Sequence, residues 1–278
     1  MTKIAAPSAI DEKNSAFWDE LCGSGIARML GITDVSQASL KRFDDWYFAY
    51  YPYLFLHIPF HDWNCKDVLE VGLGYGTVSQ RLAEWGARYR GLDIAAGPAA
   101  IVNHRLRQAG LAGEATIGSI LDAPFERASF DHIVAIGCLH HTGDLQRALD
   151  ECHRLLRPGG SLVFMVYYAY SYRRFMQART QTLRYWLRER IGYRGVVGDS
   201  AAAERAGYDT NKDGAAAPHT DWISKTSLRY LCRNFTSFRA RTENIVQEPP
   251  FQKRPRNELL MTRWPSRIGL DLYACAVK

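Results

Sequence analysis

Short apolar runs alternate with stretches at helical spacing through the middle of the chain, the pattern of strands joined by packing helices. Strands are expected near 67–71, 88–93, 114–117, 130–136 and 161–167, with helices after the first two and between the fourth and fifth. The clearest helix runs from Asp144 to Leu156: Leu145, Ala148, Leu149, Cys152, Leu155 and Leu156 recur at helical spacing, and Pro158-Gly159-Gly160 stops it. Val78, Leu82 and Trp85 give the helix after the first strand an apolar face of the same kind. Two last strands are expected near 237–245 and 269–277. The implied fold class is α/β with a doubly wound sheet, whose ligand crevice lies at the carboxyl ends of the strands where their order reverses.

The first strand runs into Val68-Leu69-Glu70-Val71-Gly72-Leu73-Gly74-Tyr75-Gly76, an acid followed by three alternating glycines. Such a turn lets the main chain approach a ligand closely and presents backbone N–H groups at a helix start, which reads as a nucleotide pocket. A dinucleotide fingerprint, G-x-G-x-x-G, would need a glycine at position 77, which is Thr77. The spacing is instead G-x-G-x-G with Glu70 two residues before the first glycine. Asp93 ends the second strand seventeen residues past Gly76, close to the offset of about 20 expected for an acid that accepts from ribose hydroxyls.

The segment Glu70 to Gly76 resembles the first motif of the class I S-adenosylmethionine-dependent methyltransferases, in particular the methyltransferase type 11-like group. The landmarks after it keep that family's order. Ala87 to Ile94 looks like the second strand, and Gly118-Ser119-Ile120-Leu121-Asp122 followed by Ser129 to Val134 looks like the adenine loop and fourth strand. Leu139-His140-His141-Thr142 and, after a helix, Leu156-Arg157-Pro158-Gly159-Gly160 resemble the approach to the fifth strand. The resemblance covers about Val68 to Val166. It implies S-adenosyl-L-methionine as cofactor and a Rossmann-like seven-stranded sheet closed by an antiparallel terminal hairpin. It also implies that Glu70 helps hold the amino-acid end of the cofactor beside Gly72, Gly74 and Gly76. Asp93 and Ile94 then belong with the ribose, Ser119, Ile120 and Asp122 with the adenine, and Gly137 with the same pocket. The family often has Asp where this chain has Ser119, whose hydroxyl is a shorter acceptor, and Asp122 is a candidate substitute.

Outside that core, residues 1–66 form a helical N-terminal extension and 67–278 the methyltransferase domain, with a substrate-side insertion at 168–224 and one compact domain overall. The aromatic run 43–60, interrupted by Pro52 and Pro59, reads equally as a lid over the substrate pocket and as a helix pair packing on the core. Inserts around a constant cofactor site carry specificity, so Trp46, Tyr50, Tyr167 and Tyr170 are candidate substrate contacts.

Composition changes this picture only in part. A chain of 278 residues that is 47% apolar and 23% charged can bury a full core. No apolar stretch approaches the length of a transmembrane helix, and the first residues lack an apolar core of signal-peptide length, so a cytoplasmic protein is expected. Six scattered cysteines (22, 65, 138, 152, 232 and 275) form no C-x-x-C, which argues against a disulfide framework or a zinc ribbon. The formal charge of +6 is concentrated: Arg173 to Arg194 holds seven arginines and one glutamate, and Lys253 to Arg267 holds five bases against Glu258. These are either solvated faces or a surface for an anionic partner: a charged substrate or an acidic lipid headgroup at a membrane surface. No nucleic-acid-binding motif accompanies them, so no nucleic acid is expected. Oligomeric state is left open.

For chemistry, His140 and His141 follow the fourth strand at the mouth of the crevice, and His219 lies in the insertion. Each is a candidate base for an acceptor hydroxyl, with fixation of the loop as the alternative. Asp209-Thr210-Asn211-Lys212-Asp213-Gly214 matches half of a calcium loop, but the closing position is Thr220 rather than Glu, so a side-chain-held turn is expected and no metal. The expected function is methyl transfer to a small-molecule acceptor, an anionic one being among the readings of the basic clusters, with oxygen slightly preferred. Methylation of a lipid or glycan intermediate, or a cofactor-binding regulatory protein without turnover, are the alternatives.

Overall fold

The computed structural model of the chain describes residues 9–20, 24–198 and 200–278; Cys22 lies outside them, as does the start of the segment weighed as a leader. Among these residues eight strands form one sheet: β1 Asp67–Val71, β2 Arg88–Asp93, β3 Glu114–Ile117, β4 Phe130–Ile136, β5 Leu156–Tyr168, β6 Trp222–Ile223, β7 Ser237–Glu243 and β8 Asp271–Val277. Seven of them run in the order β3-β2-β1-β4-β5-β8-β7. All neighbours are parallel except β8, which pairs antiparallel with both β5 and β7 and so makes the terminal hairpin. The order reverses between β1 and β4, which places the crevice at their carboxyl ends.

Alternation along the strands fills both faces. In β1, Val68 enters one core cluster with Val134, Val163 and Met165, while Leu69 and Val71 enter the other with Ile133, Ala135, Leu162 and Phe164. Helices cover both faces because a parallel sheet is buried on each side.

The helices, in chain order, are α1 Ala9–Trp18, α2 Ser24–Met29, α3 Gln37–Tyr50, α4 Leu54–His57, α5 Thr77–Glu84, α6 Ala96–Gln108, α7 Leu145–Leu155, α8 Tyr172–Gln177 and α9 Arg179–Arg190, with shorter ones beyond. The Asp144 side chain caps α7 by accepting from the Arg147 N–H, and the chain turns into β5 at Leu156, earlier than the apolar pattern places it. Gly160 sits where a Cβ would come within 2.6 Å of the Asp131 carbonyl, so the turn into β5 packs directly on β4.

Two details depart from the sequence reading. Trp85 is not on the buried face of α5: it is 42% exposed at the helix end and meets His61 edge to face, whereas Val78 and Leu82 are buried. The two-residue β6 has no periodicity to betray it. It pairs with Tyr167 and Tyr168 on the edge of β5 that β4 leaves free, and thereby brings the end of the insertion against the loop that follows β4.

The N-terminal segment packs on this core. Tyr53, Leu54, Ile58, Phe60 and Trp63 share a buried cluster with Val68, Tyr89 and Tyr273.

Candidate functional site

The turn after β1 is built from glycines that the backbone demands. Gly72, Gly74 and Gly76 all have positive φ, and a Cβ on Gly72 would lie 2.4 Å from the Cys138 Cβ. β1 and the loop after β4 can therefore close together only over a bare Cα. Gly76 caps α5, and Thr77 and Val78 of its first turn line the crevice.

Above this turn lies a cavity of about 610 Å3, within the range of small-molecule sites. Its floor holds Glu70, Gly72, Gly74 and Asp93, its sides Ile94, Ser119, Ile120 and Gly137, and its roof Trp18, Trp46 and Tyr50. Gly76 and Asp122 lie just behind this wall: the first caps α5, and the second ends the short helical turn that begins at Ile120.

The two acids are prepared differently. Glu70 is fully buried, and its Oε2 accepts from Ser79 Oγ at 2.6 Å and Tyr89 OH at 2.8 Å. Burial pushes its carboxyl up to about 7, against the pull of those two donors. A cationic group beside it would restore the carboxylate. Asp93 accepts from the Leu73 N–H at 2.7 Å and the Ala95 N–H at 2.9 Å, one on each oxygen. It thus ties the glycine turn to the end of β2, and its carboxylate retains acceptor capacity beyond these backbone donors. Ser119 Oγ accepts from the Leu121 N–H, and lies 3.4 Å from Asp11 Oδ1 on α1.

Three contacts across the crevice have no local signature. Asn14 on α1 donates to the His141 carbonyl at 2.7 Å, and Asp19 accepts from the Gly97 N–H at the start of α6 at 2.7 Å. On α3, Asp44 accepts from Thr77 Oγ1 and pairs with Arg105, which is itself buried and also donates to the Tyr75 carbonyl at 2.6 Å and to Gln80. Phe43 stacks on Tyr75 with ring centroids 4.3 Å apart. The N-terminal helices are therefore fastened to the glycine turn by an ion pair and a ring stack.

The histidines sit otherwise than a base would. His140 is fully buried, wedged between the rings of His141 and Tyr167, and desolvation holds it neutral. His141 borders the cavity, but its Nδ1 donates to the His219 carbonyl at 2.7 Å and its buried Nε2 points to Asp209 Oδ2 at 3.6 Å. Both nitrogens face residues of the insertion, and Nε2 is buried, an arrangement that fits loop fixation better than proton removal. His219 Nε2 lies 3.1 Å from Asp221 Oδ1, off the cavity wall. Tyr167 donates to Asp209 and Tyr170 to Glu189, so both are turned into the insertion, whereas Trp46 and Tyr50 do line the cavity and stack on each other at 4.9 Å. In the calcium-like run, Asn211 Oδ1 accepts from the Asp213 and Ala215 N–H groups, which makes a side-chain-held turn. Among the described residues no group of three or more His, Cys, Asp or Glu is arranged to hold a metal ion, and no helix is long and apolar enough to cross a membrane.

Residues 69–164 match the family described as methyltransferase domain. Among curated proteins, the chain is 34% identical over 99 residues to the demethylmenaquinone methyltransferase of Tropheryma whipplei (strain Twist), covering 35% of this chain and 40% of that one. It is 36% identical over 104 residues to the dimethylglycine N-methyltransferase of Parasynechococcus marenigrum (strain WH8102), covering 35% of this chain and 36% of that one. The chain thus spans well under half the length of these relatives. In fold it is similar to the YcgJ protein of Bacillus subtilis, with a TM-score of 0.56 at 16% identity, covering 82% of this chain and 98% of that one.

Proposed function

We propose that this chain, which carries a class I S-adenosylmethionine-dependent methyltransferase domain across its central strands, transfers a methyl group to a small, largely apolar acceptor held under its N-terminal helices. The observation that carries the reading is one cavity with two unlike walls. The glycine turn, Glu70 and Asp93 form one wall, and the aromatic rings of α1 and α3 form the other. Bound S-adenosylmethionine supplies an electrophilic methyl on a sulfonium. The fit is chemical: the buried carboxyl of Glu70 suits the amino-acid end, the remaining acceptor capacity of Asp93 suits the ribose hydroxyls, and the apolar side chain of Ile120 beside Ser119 suits the adenine.

The chain's own share of the chemistry is alignment and exclusion of water. Trp46 and Tyr50 offer stacked faces to a planar acceptor, and Asp44 with Arg105 holds their helix over the turn. With His141 Nδ1 bonded to the His219 carbonyl and Nε2 buried beside Asp209, the site favours an acceptor atom that is nucleophilic without a dedicated base: an acidic phenol or enol oxygen, or an unprotonated amine. The two relatives act, by their names, on demethylmenaquinone and on dimethylglycine, so the preference for oxygen rests on the stacked faces of Trp46 and Tyr50, which suit a planar phenol or quinol.

Incubation with methyl-labelled S-adenosylmethionine and a panel of quinols, phenols, sterols and N-methylated glycines tests this. Label is expected on the oxygen of a quinol or phenol. Label on dimethylglycine alone would overturn the oxygen assignment and the apolar acceptor with it.

A further inference from the structure

Five of the seven arginines between Arg173 and Arg194 have no ion-pair partner among the described residues, and four of these flank an apolar stripe. Leu183, Leu187 and Ile191 lie at i, i+4 and i+8 along α9 and just past its end, 57%, 52% and 87% exposed. The opposite face is the buried one, carrying Thr182 and Tyr185. On one side of the stripe stand Arg184 and Arg188, and on the other Arg179, Arg190 and the half-exposed Trp186. The one acid of the helix is turned inward: Glu189 accepts from Tyr170, Ser224 and Ser227. The remaining arginines of the run are structural. Arg173 pairs with Glu248, Arg174 is buried over the Trp222 ring, and Arg194 donates to the carbonyls of Glu189 and Tyr193.

We propose that the outward face of α9 docks the protein on an anionic lipid surface. Exposed leucine, isoleucine and tryptophan cost free energy in water, and the guanidinium groups around them would repel a second copy of the same face. A bilayer with acidic headgroups satisfies both features, since the apolar stripe enters the headgroup boundary while the arginines remain at the phosphate level. Phe175 and Met176, both about half exposed on α8, extend the apolar edge toward the start of α9. An acidic protein surface would pair with the arginines but would not call for three consecutive solvent-facing apolar positions. The inference does not depend on methyl transfer, because docking is read without cofactor or acceptor.

Flotation of the full chain with vesicles of phosphatidylcholine, alone or mixed with phosphatidylglycerol, tests it. Binding is expected only to the mixed vesicles, weakening as salt is raised. The double substitution Arg184→Glu and Arg188→Glu should lower it about 25-fold or more, at about fivefold per arginine. Leu187→Asp should also release the protein, with S-adenosylhomocysteine binding and circular dichroism unchanged in all variants. No binding to anionic vesicles, or binding that survives the double substitution, would overturn the proposal. So would a wild-type dimer that Leu187→Asp dissociates, for the stripe would then be an interface between copies.

Discussion

Replacing Asp93 with alanine is expected to weaken S-adenosylhomocysteine about 100-fold, or about 2.7 kcal/mol. The size of the effect follows from two tasks carried by one carboxylate. Its oxygens accept from the Leu73 and Ala95 N–H groups, so they fix the glycine turn against β2. Their remaining acceptor capacity is proposed for the ribose hydroxyls, and a hydrogen bond to a charged group contributes about 1.5–3 kcal/mol. Asp93→Asn keeps one oxygen but turns an amide N–H toward a backbone donor, so it should lose most of the same affinity. Calorimetric titration of folded variants reads the outcome. Unchanged affinity in Asp93→Ala would mean that the ribose lies elsewhere.

The second large effect is on stability. Asp44→Ala leaves the guanidinium of Arg105 buried without its carboxylate, and breaking such a pair from one side costs about 3–5 kcal/mol. Arg105 keeps the Tyr75 carbonyl and Gln80, and Asp44 is slightly open to solvent, so the lower figure of about 3 kcal/mol applies. For a chain of this length that corresponds to a fall of roughly 6–12 °C in melting temperature. A shift within about 0.5 kcal/mol in denaturant unfolding would show the pair to be exchangeable with water.

How much of this was legible before the fold was known depends on the range of the interactions. The five parallel strands and α7 follow from periodicities contained within each element, so their places could be read from residues such as Leu145, Leu149 and Cys152. The glycine turn was legible for a similar reason, because the demand for positive φ at Gly72 is local. Trp85 misled because it is spaced like a core residue yet falls at a helix end. Trp46 and Tyr50 were legible as candidate contacts, but the way the roof is fastened was out of reach. Asn14 and His141 are 127 residues apart, and Asp44 and Arg105 are 61 apart, with no motif linking either pair. The same holds for His141. Its position at the mouth of the crevice was readable, but the direction of its two nitrogens is set by the His219 carbonyl and by Asp209, which arrive from the insertion.

The central claim, that this crevice takes S-adenosylmethionine rather than a dinucleotide, is tested most directly by titrating the wild-type chain with S-adenosylhomocysteine and with NAD at pH 6 and pH 8. Glu70 must be ionised to meet an ammonium group, and its carboxyl lies at about 7, so protonation competes with binding below that value. Raising the pH through this window should therefore tighten S-adenosylhomocysteine, by about tenfold between the two conditions, because each unit below the pKa costs up to a factor of ten. The account predicts saturable binding of S-adenosylhomocysteine with that pH dependence and no heat from NAD. Saturable binding of NAD with no response to S-adenosylhomocysteine at either pH would contradict it.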